Sequence, residues 1–132
     1  PDNIHVANYS AGQLAGLNST LRRAGLPRVH THAEDIIMTA AIRGPFDVIA
    51  YDGCATIERE ETQQRIQAMR KLSTGFVGAT IYGCRDVLSD TQRRRRLAKA
   101  LEYDLHPGIS PVTIRKYVNN HSPMLWGLSA GE

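Results

Sequence analysis

The sequence has little that would place it in a membrane or in a disulfide-rich scaffold. Its 132 residues include two cysteines, Cys54 and Cys84, which are too few for a disulfide framework and lack the spacing of a zinc site. No apolar run approaches the roughly 20 residues that a helix needs to cross a bilayer. The start, PDNIHVANYS, lacks the basic and apolar segments of a signal peptide. These absences predict a cytoplasmic protein with reduced thiols and no membrane contact.

The motifs of several common functional classes are also missing. The chain has no GxGxxG, no P-loop, no internal repeat, and no legible Ser/His/Asp or Cys/His arrangement. The net charge of +3 is mild, and the excess is concentrated in the run from Arg93 to Arg96. This charge permits nucleic acid as a partner but does not indicate it.

The sequence does contain a regular alternation of β-prone and helical segments. NIHVAN, RVHTH, FDVIAYD and GFVGATIYG predict four strands, each followed by apolar residues at helical spacing. Ser10 with Gln13, and Ser89 with Gln92, form capping-box patterns at two helix starts. A fifth strand is predicted near YDL, and Ser110 with Pro111 predicts a last helix that continues through Val118.

Five strands that alternate with five helices predict an α/β domain with a parallel sheet covered on both faces. We expect this domain to span residues 1–118 and residues 119–132 to form a C-terminal tail. Trp126 lies among aliphatic residues in this tail, which predicts that the tail folds back on the domain or takes part in a dimer. Ligands of such sheets bind at the carboxyl ends of the strands, where Asp52 lies.

From about Ile4 to Val118 the chain resembles the receiver domain of bacterial response regulators, which are CheY-like proteins. DVIAYD resembles the segment that ends in the phosphoacceptor, and YDLHP resembles the fifth strand of the family. The resemblance implies a flavodoxin-like three-layer sandwich with a five-stranded parallel sheet in the order 2-1-3-4-5. It places Asp52 at the phosphoacceptor position, Thr80 beside the phosphoryl group and Tyr103 at the switch aromatic.

The chain departs from this family at its reaction pocket. Asn8 and Tyr9 stand where receivers carry an acidic pair, and His106 stands at the position of a lysine. Mg²⁺ prefers carboxylate oxygens, so an amide and a phenol leave a weak metal site. We therefore expect an atypical receiver that is not an enzyme, that needs no cofactor and binds Mg²⁺ weakly at most, and whose phosphoacceptor Asp52 is vestigial.

The expected activity is signalling through protein–protein interaction in a two-component system. A histidine kinase or an output protein is the expected partner, and a homodimer stays open. The expected output surface comprises Tyr103, Arg93, Arg94, Arg95 and Arg96. Four consecutive helical residues sweep most of the circumference at about 100° each, so these arginines cannot all lie on one solvated face.

Other interpretations stay open at this point. Asp52 could still accept phosphate from a histidine kinase, or the chain could be a small flavodoxin-like enzyme or nucleotide binder. His30 and His32 face one side of a strand, but no third metal ligand is apparent, and His5 is expected to belong to the core.

Overall fold

The structure, a computed structural model, describes residues 3–82, 87–101, 112–119 and 122–130. The chain forms two compact units, Pro1–Arg43 and Gly44–Glu132, and each is described by itself.

Unit 1 is a small parallel β-α-β-α arrangement. Its elements are β1 (His5–Ala7), α1 (Ala11–Arg23), β2 (His30–His32) and α2 (Ile36–Arg43). The two strands pair in parallel, and His5 lies opposite His30. Parallel strands need a crossover connection, and α1 supplies it.

Cap residues set the limits of α1. The Ser10 hydroxyl accepts a hydrogen bond from the backbone N–H of Gln13 (3.2 Å), so one of the free donors of the first turn is satisfied. After the last turn Gly25 has a positive φ of 72°, a conformation that costs glycine little. Leu14 is the buried apolar residue of this helix.

Unit 2 is a mixed sheet with two helices. Its elements are β3 (Phe46–Thr56), α3 (Glu60–Leu72), β4 (Ser73–Tyr82), α4 (Asp90–Leu101), β5 (Val112–Asn119) and β6 (Ser122–Ala130). The strand order is β3-β4-β6-β5. β3 and β4 are parallel, whereas β6 is antiparallel to both of its neighbours. β5 therefore runs in the same direction as β4, with the reversed strand β6 between them.

The core of unit 2 lies between β4 and the two helices. α3 packs against α4, and both contact the sheet. Most of the fully buried side chains come from these elements, namely Ile66 and Met69 in α3, Val77, Ala79 and Ile81 in β4, and Leu97 and Leu101 in α4, and Ile57 joins them from the turn between β3 and α3. Burying each of the larger aliphatic side chains stabilises the fold by about 1.5–3 kcal/mol.

The first four strands and the first four helices confirm the sequence predictions, and so does the capping box of α4. The Ser89 N–H donates to Gln92 Oε1 (2.9 Å), and the Gln92 N–H donates to Ser89 Oγ (3.2 Å). β3 continues beyond Asp52 to Thr56, with a register shift between these two residues.

The predicted flavodoxin-like sandwich is wrong. The α/β class holds, but the described residues form six strands in two sheets, one of them mixed, and four helices. The segment predicted as a fifth helix contains β5, because Val112, Thr113 and Ile114 are β-branched and favour a strand over a helix. The segment predicted as a tail contains β6. The strand predicted near YDL lies outside the described residues.

Candidate functional site

Polar side chains gather in unit 1 at the carboxyl edge of its sheet. Asn8 and Tyr9 follow β1, and Glu34 and Asp35 follow β2. Because the two strands are parallel, their carboxyl ends meet at the same edge. The Tyr9 hydroxyl donates a hydrogen bond to Asp35 Oδ2 (2.8 Å), which joins the two loops directly.

Each member of this edge cluster is held by a local contact. The Asn8 N–H extends the β1–β2 pairing by donating to the His32 carbonyl (3.1 Å). The Asn8 side-chain oxygen accepts from the Ser10 N–H (2.8 Å), and its amide nitrogen donates to Gln13 Oε1 (3.1 Å). Asp35 Oδ1 accepts from the Ile37 N–H (2.8 Å) at the start of α2. The edge is therefore ordered by its own hydrogen bonds.

The cluster still has capacity for a ligand. Tyr9 is 77% exposed, so its ring face is accessible. A side-chain amide offers four hydrogen bonds, and Asn8 uses two of them in the contacts above, so it can still accept and donate, whereas the Asp35 carboxylate is an acceptor only. Glu34 accepts from the Thr39 hydroxyl (2.8 Å) and pairs with Arg43 (3.8 Å). The donors, acceptors and ring face at this edge suit hydroxyl, amine and flat aromatic groups.

Three of the five histidines form a cluster on the strands behind this edge. His5 Nδ1 lies 2.9 Å from His32 Nε2, and the His5 and His30 rings stack with centroids 4.7 Å apart. Partial burial, then the neighbouring His30 and Arg43, lower the pKa of His5. Burial also lowers the pKa of His32, as do Arg43 and His5, while Glu34 opposes the shift. A hydrogen bond between two imidazoles requires one to act as acceptor and stay neutral.

The sequence analysis does not predict this histidine cluster, because it assigns His5 to the core. The position of His5 in β1 is the feature that could have indicated the cluster, since parallel pairing places His5 opposite His30. The described residues contain no group of three or more His, Cys, Asp or Glu that could hold a metal ion.

In unit 2 the structure places Asp52 beside Thr80. These residues are partners in the β3–β4 register, and Asp52 is exposed. The neighbouring Tyr51 hydroxyl accepts from Arg65 Nε (3.2 Å), and the Arg65 guanidinium lies 5.7 Å from the ring centroid. A Cβ on Gly53 would lie 3.0 Å from the Tyr51 ring, so this position requires glycine unless the ring shifts.

The remaining predicted site residues are distributed over the chain. Asn8 and Tyr9 belong to unit 1, whereas Asp52 and Thr80 belong to unit 2. Tyr103, His106 and Cys84 lie outside the described residues.

The arginine run in α4 divides into two kinds of side chain, as its helical spacing predicted. Arg93 is buried and pairs with Asp90 through Nη1 (2.7 Å). Arg94 Nη1 donates to the Ile114 carbonyl in β5 (3.2 Å). Arg95 and Arg96 are exposed. The first two arginines therefore hold α4 in place, and the last two face solvent.

Comparison with known proteins rests on structure alone, because no sequence-family profile and no curated protein matches the chain. An rRNA methylase from Streptococcus thermophilus superposes with a TM-score of 0.62 at 13% identity, covering 98% of this chain and 74% of that one. The O-methyltransferase from Bacillus cereus in complex with SAH gives 0.65 at 17% identity, with coverage of 98% and 63%. Magnesium protoporphyrin IX methyltransferase from Synechocystis with bound SAM gives 0.66 at 10% identity, with coverage of 97% and 59%.

These similarities overturn the receiver interpretation. The similar structures are methyltransferases, several of them crystallised with SAM or SAH, so the predicted response-regulator family and signalling function are wrong. The predictions of a non-enzyme and of no cofactor are contradicted by the same finding. In the described part of the chain, no helix is long and apolar enough to span a membrane. The chain has the fold of S-adenosylmethionine (SAM)-dependent methyltransferases.

Proposed function

We propose that this chain provides the SAM-binding part of a methyltransferase and acts in the cytoplasm. The observation that carries the proposal is the polar cluster at the carboxyl edge of β1 and β2, in a chain whose fold is shared by methyltransferases with bound SAM or SAH. Ligands of open α/β sheets bind at the carboxyl ends of the strands.

The residues of the edge cluster fit the adenosine half of SAM. Ribose hydroxyls need groups that both donate and accept, and the Asn8 amide offers both. An adenine ring needs a flat partner and an acceptor for its amine, and Tyr9 and Asp35 offer these. Asn8 and Asp35 are already fixed by backbone hydrogen bonds, so binding costs little side-chain ordering.

When bound, SAM supplies an electrophilic methyl group carried by a sulfonium. The contribution of unit 1 is to bind and orient the adenosine part. Holding a reactant in a fixed position reduces the entropy that the reaction must lose. The hydrogen bond from Tyr9 to Asp35 joins the loops that follow β1 and β2.

Substitution of Tyr9 tests whether the carboxyl edge of unit 1 binds the adenosine part of SAM. Isothermal titration calorimetry with SAH should show saturable binding to the whole chain, and Tyr9→Ala should weaken it about tenfold or more, because the variant loses the ring face and the bond to Asp35. Since Tyr9 is 77% exposed, the variant should keep its melting temperature within the range of surface substitutions.

Ile42→Ala is the matched control. Ile42 is also exposed, at 67%, but lies in the last turn of α2, away from the carboxyl edge. It should leave SAH affinity unchanged. Equal affinity of wild type and Tyr9→Ala, or no binding by the wild type, would contradict the assignment.

A further inference from the structure

We infer that the exposed side of α4 binds the phosphate backbone of a nucleic acid. Three cations, Arg95, Arg96 and Lys99, make up this basic surface. That the bound nucleic acid also carries the methyl acceptor rests on the proposed function; the binding itself rests on the charges of this helix.

The three cations lie on one side of the helix. Residues three and four positions apart are neighbours on a helix surface, so Lys99 lies next to both Arg95 and Arg96. All three are exposed. They can therefore reach successive phosphate groups of one strand together.

Within the described part of the chain, these cations hold no other element in place. Arg93 and Arg94 make contacts with Asp90 and with the Ile114 carbonyl, but Arg95, Arg96 and Lys99 make no hydrogen bond or ion pair with any described residue. The exposed carboxylates Glu60 and Glu61 of α3 belong to the first turn of that helix and do not pair with them. Three neighbouring cations that lack an anionic partner among the described residues repel each other, and a polyanion relieves this repulsion.

The composition of this basic surface favours a nucleic acid over the protein partner that the sequence predicts. The other exposed residues of α4 are Thr91 and Gln92, so no exposed residue of the helix is apolar. Protein interfaces contain an apolar core, whereas nucleic-acid interfaces are more polar and much more positively charged. Arginine is also the residue that best matches phosphate geometry.

The test measures binding of the whole chain to a fluorescently labelled, unstructured single-stranded RNA by anisotropy at several salt concentrations. Three phosphate contacts on a single strand predict a slope of log affinity against log salt near about −2. The variant Arg95→Glu/Arg96→Glu/Lys99→Glu should bind at least about tenfold more weakly and lose most of that slope.

The control carries the same change in net charge elsewhere, as Arg22→Glu/Arg23→Glu/Arg28→Glu in unit 1, where all three arginines are exposed. It should weaken RNA binding much less. Equal weakening by both triple variants, or binding to polyglutamate as tight as to RNA, would overturn the inference.

SAH titration of the α4 variant separates the two proposals, because unchanged SAH binding with lost RNA binding supports both. SAH binding without any RNA binding by the wild type refutes only this one.

Discussion

At the scale of single residues, close backbone approach decides which positions of the sheet tolerate a side chain. A Cβ on Gly75 in β4 would overlap the Asp47 carbonyl oxygen of β3, which is backbone and cannot rotate away. Gly75→Ala should therefore destabilise the protein by about 1–3 kcal/mol in urea unfolding followed by circular dichroism.

Gly16→Ala is a comparison variant that should stabilise the protein instead of destabilising it. Gly16 lies inside α1 with no atom near the added Cβ, so alanine should stabilise this helix by about 0.5–1 kcal/mol. If the Gly75→Ala variant had the same urea midpoint of unfolding as the wild type, this would contradict the close approach of β3 and β4 at Gly75.

The buried Arg93 and the exposed Arg96 should contribute differently to the stability of unit 2. Arg93→Ala should destabilise unit 2 by about 1 kcal/mol, because it removes a buried stem and a charge-assisted bond to the half-exposed Asp90. Arg96→Ala should change stability by less than about 0.5 kcal/mol, since Arg96 faces solvent. Thermal unfolding of both variants compares the two costs directly, and equal costs would contradict the division.

At the scale of elements, the β1–β2 pair depends on neutral histidines. The folded state holds the pKa of His5 and His32 below the ordinary value of about 6.5. The unfolded chain therefore takes up protons first as the pH falls. The stability that the neutral cluster contributes is complete above about pH 6.5, the pKa of histidine in the unfolded chain. It is lost as the pH falls from there through the lower pKa values of His5 and His32 in the folded state. Glu34 and Arg43 also face the cluster and act in opposite directions on His32.

This linkage predicts a lower melting temperature for unit 1 at pH 5.5 than at pH 7.5. The variant His5→Gln/His32→Gln removes the two shifted groups and should show a smaller difference between these pH values. The measurement is differential scanning calorimetry at both pH values. A wild-type protein equally stable at both would contradict the neutral cluster.

The elements also show where sequence reasoning works. α1 and α4 are predictable because serine caps and apolar spacing agree. Both serine hydroxyls accept the predicted backbone N–H, but the reciprocal glutamine bond of the capping box forms only at α4, since the Ser10 N–H donates to Asn8 instead. Ser110 with Pro111 predicts the start of a helix, but the β-branched run that begins at Val112 forms β5. The cluster of Asn8, Tyr9 and Asp35 was only partly predictable, because nothing local indicates that Asp35 returns to the end of β1.

At the scale of the whole molecule, the direction of one strand distinguishes the observed fold from the predicted one. Strands and helices alternate through β4 as the sequence predicts. β6, however, runs antiparallel between β4 and β5, whereas the predicted sheet is entirely parallel. This pairing joins segments far apart in sequence, and a local pattern carries no information about it. The receiver resemblance therefore described the alternation correctly and the family wrongly.

Binding of the adenosine part of SAM at the carboxyl edge of unit 1 is the claim on which the proposed function depends. The most direct test is a titration of the isotope-labelled chain with SAH, followed by amide NMR. We predict saturable shifts concentrated at Asn8, Tyr9, Ser10 and Asp35, and no response of Asp52 to acetyl phosphate with Mg²⁺. An unchanged spectrum at high SAH concentration, or shifts centred on Asp52 with acetyl phosphate, would contradict the account.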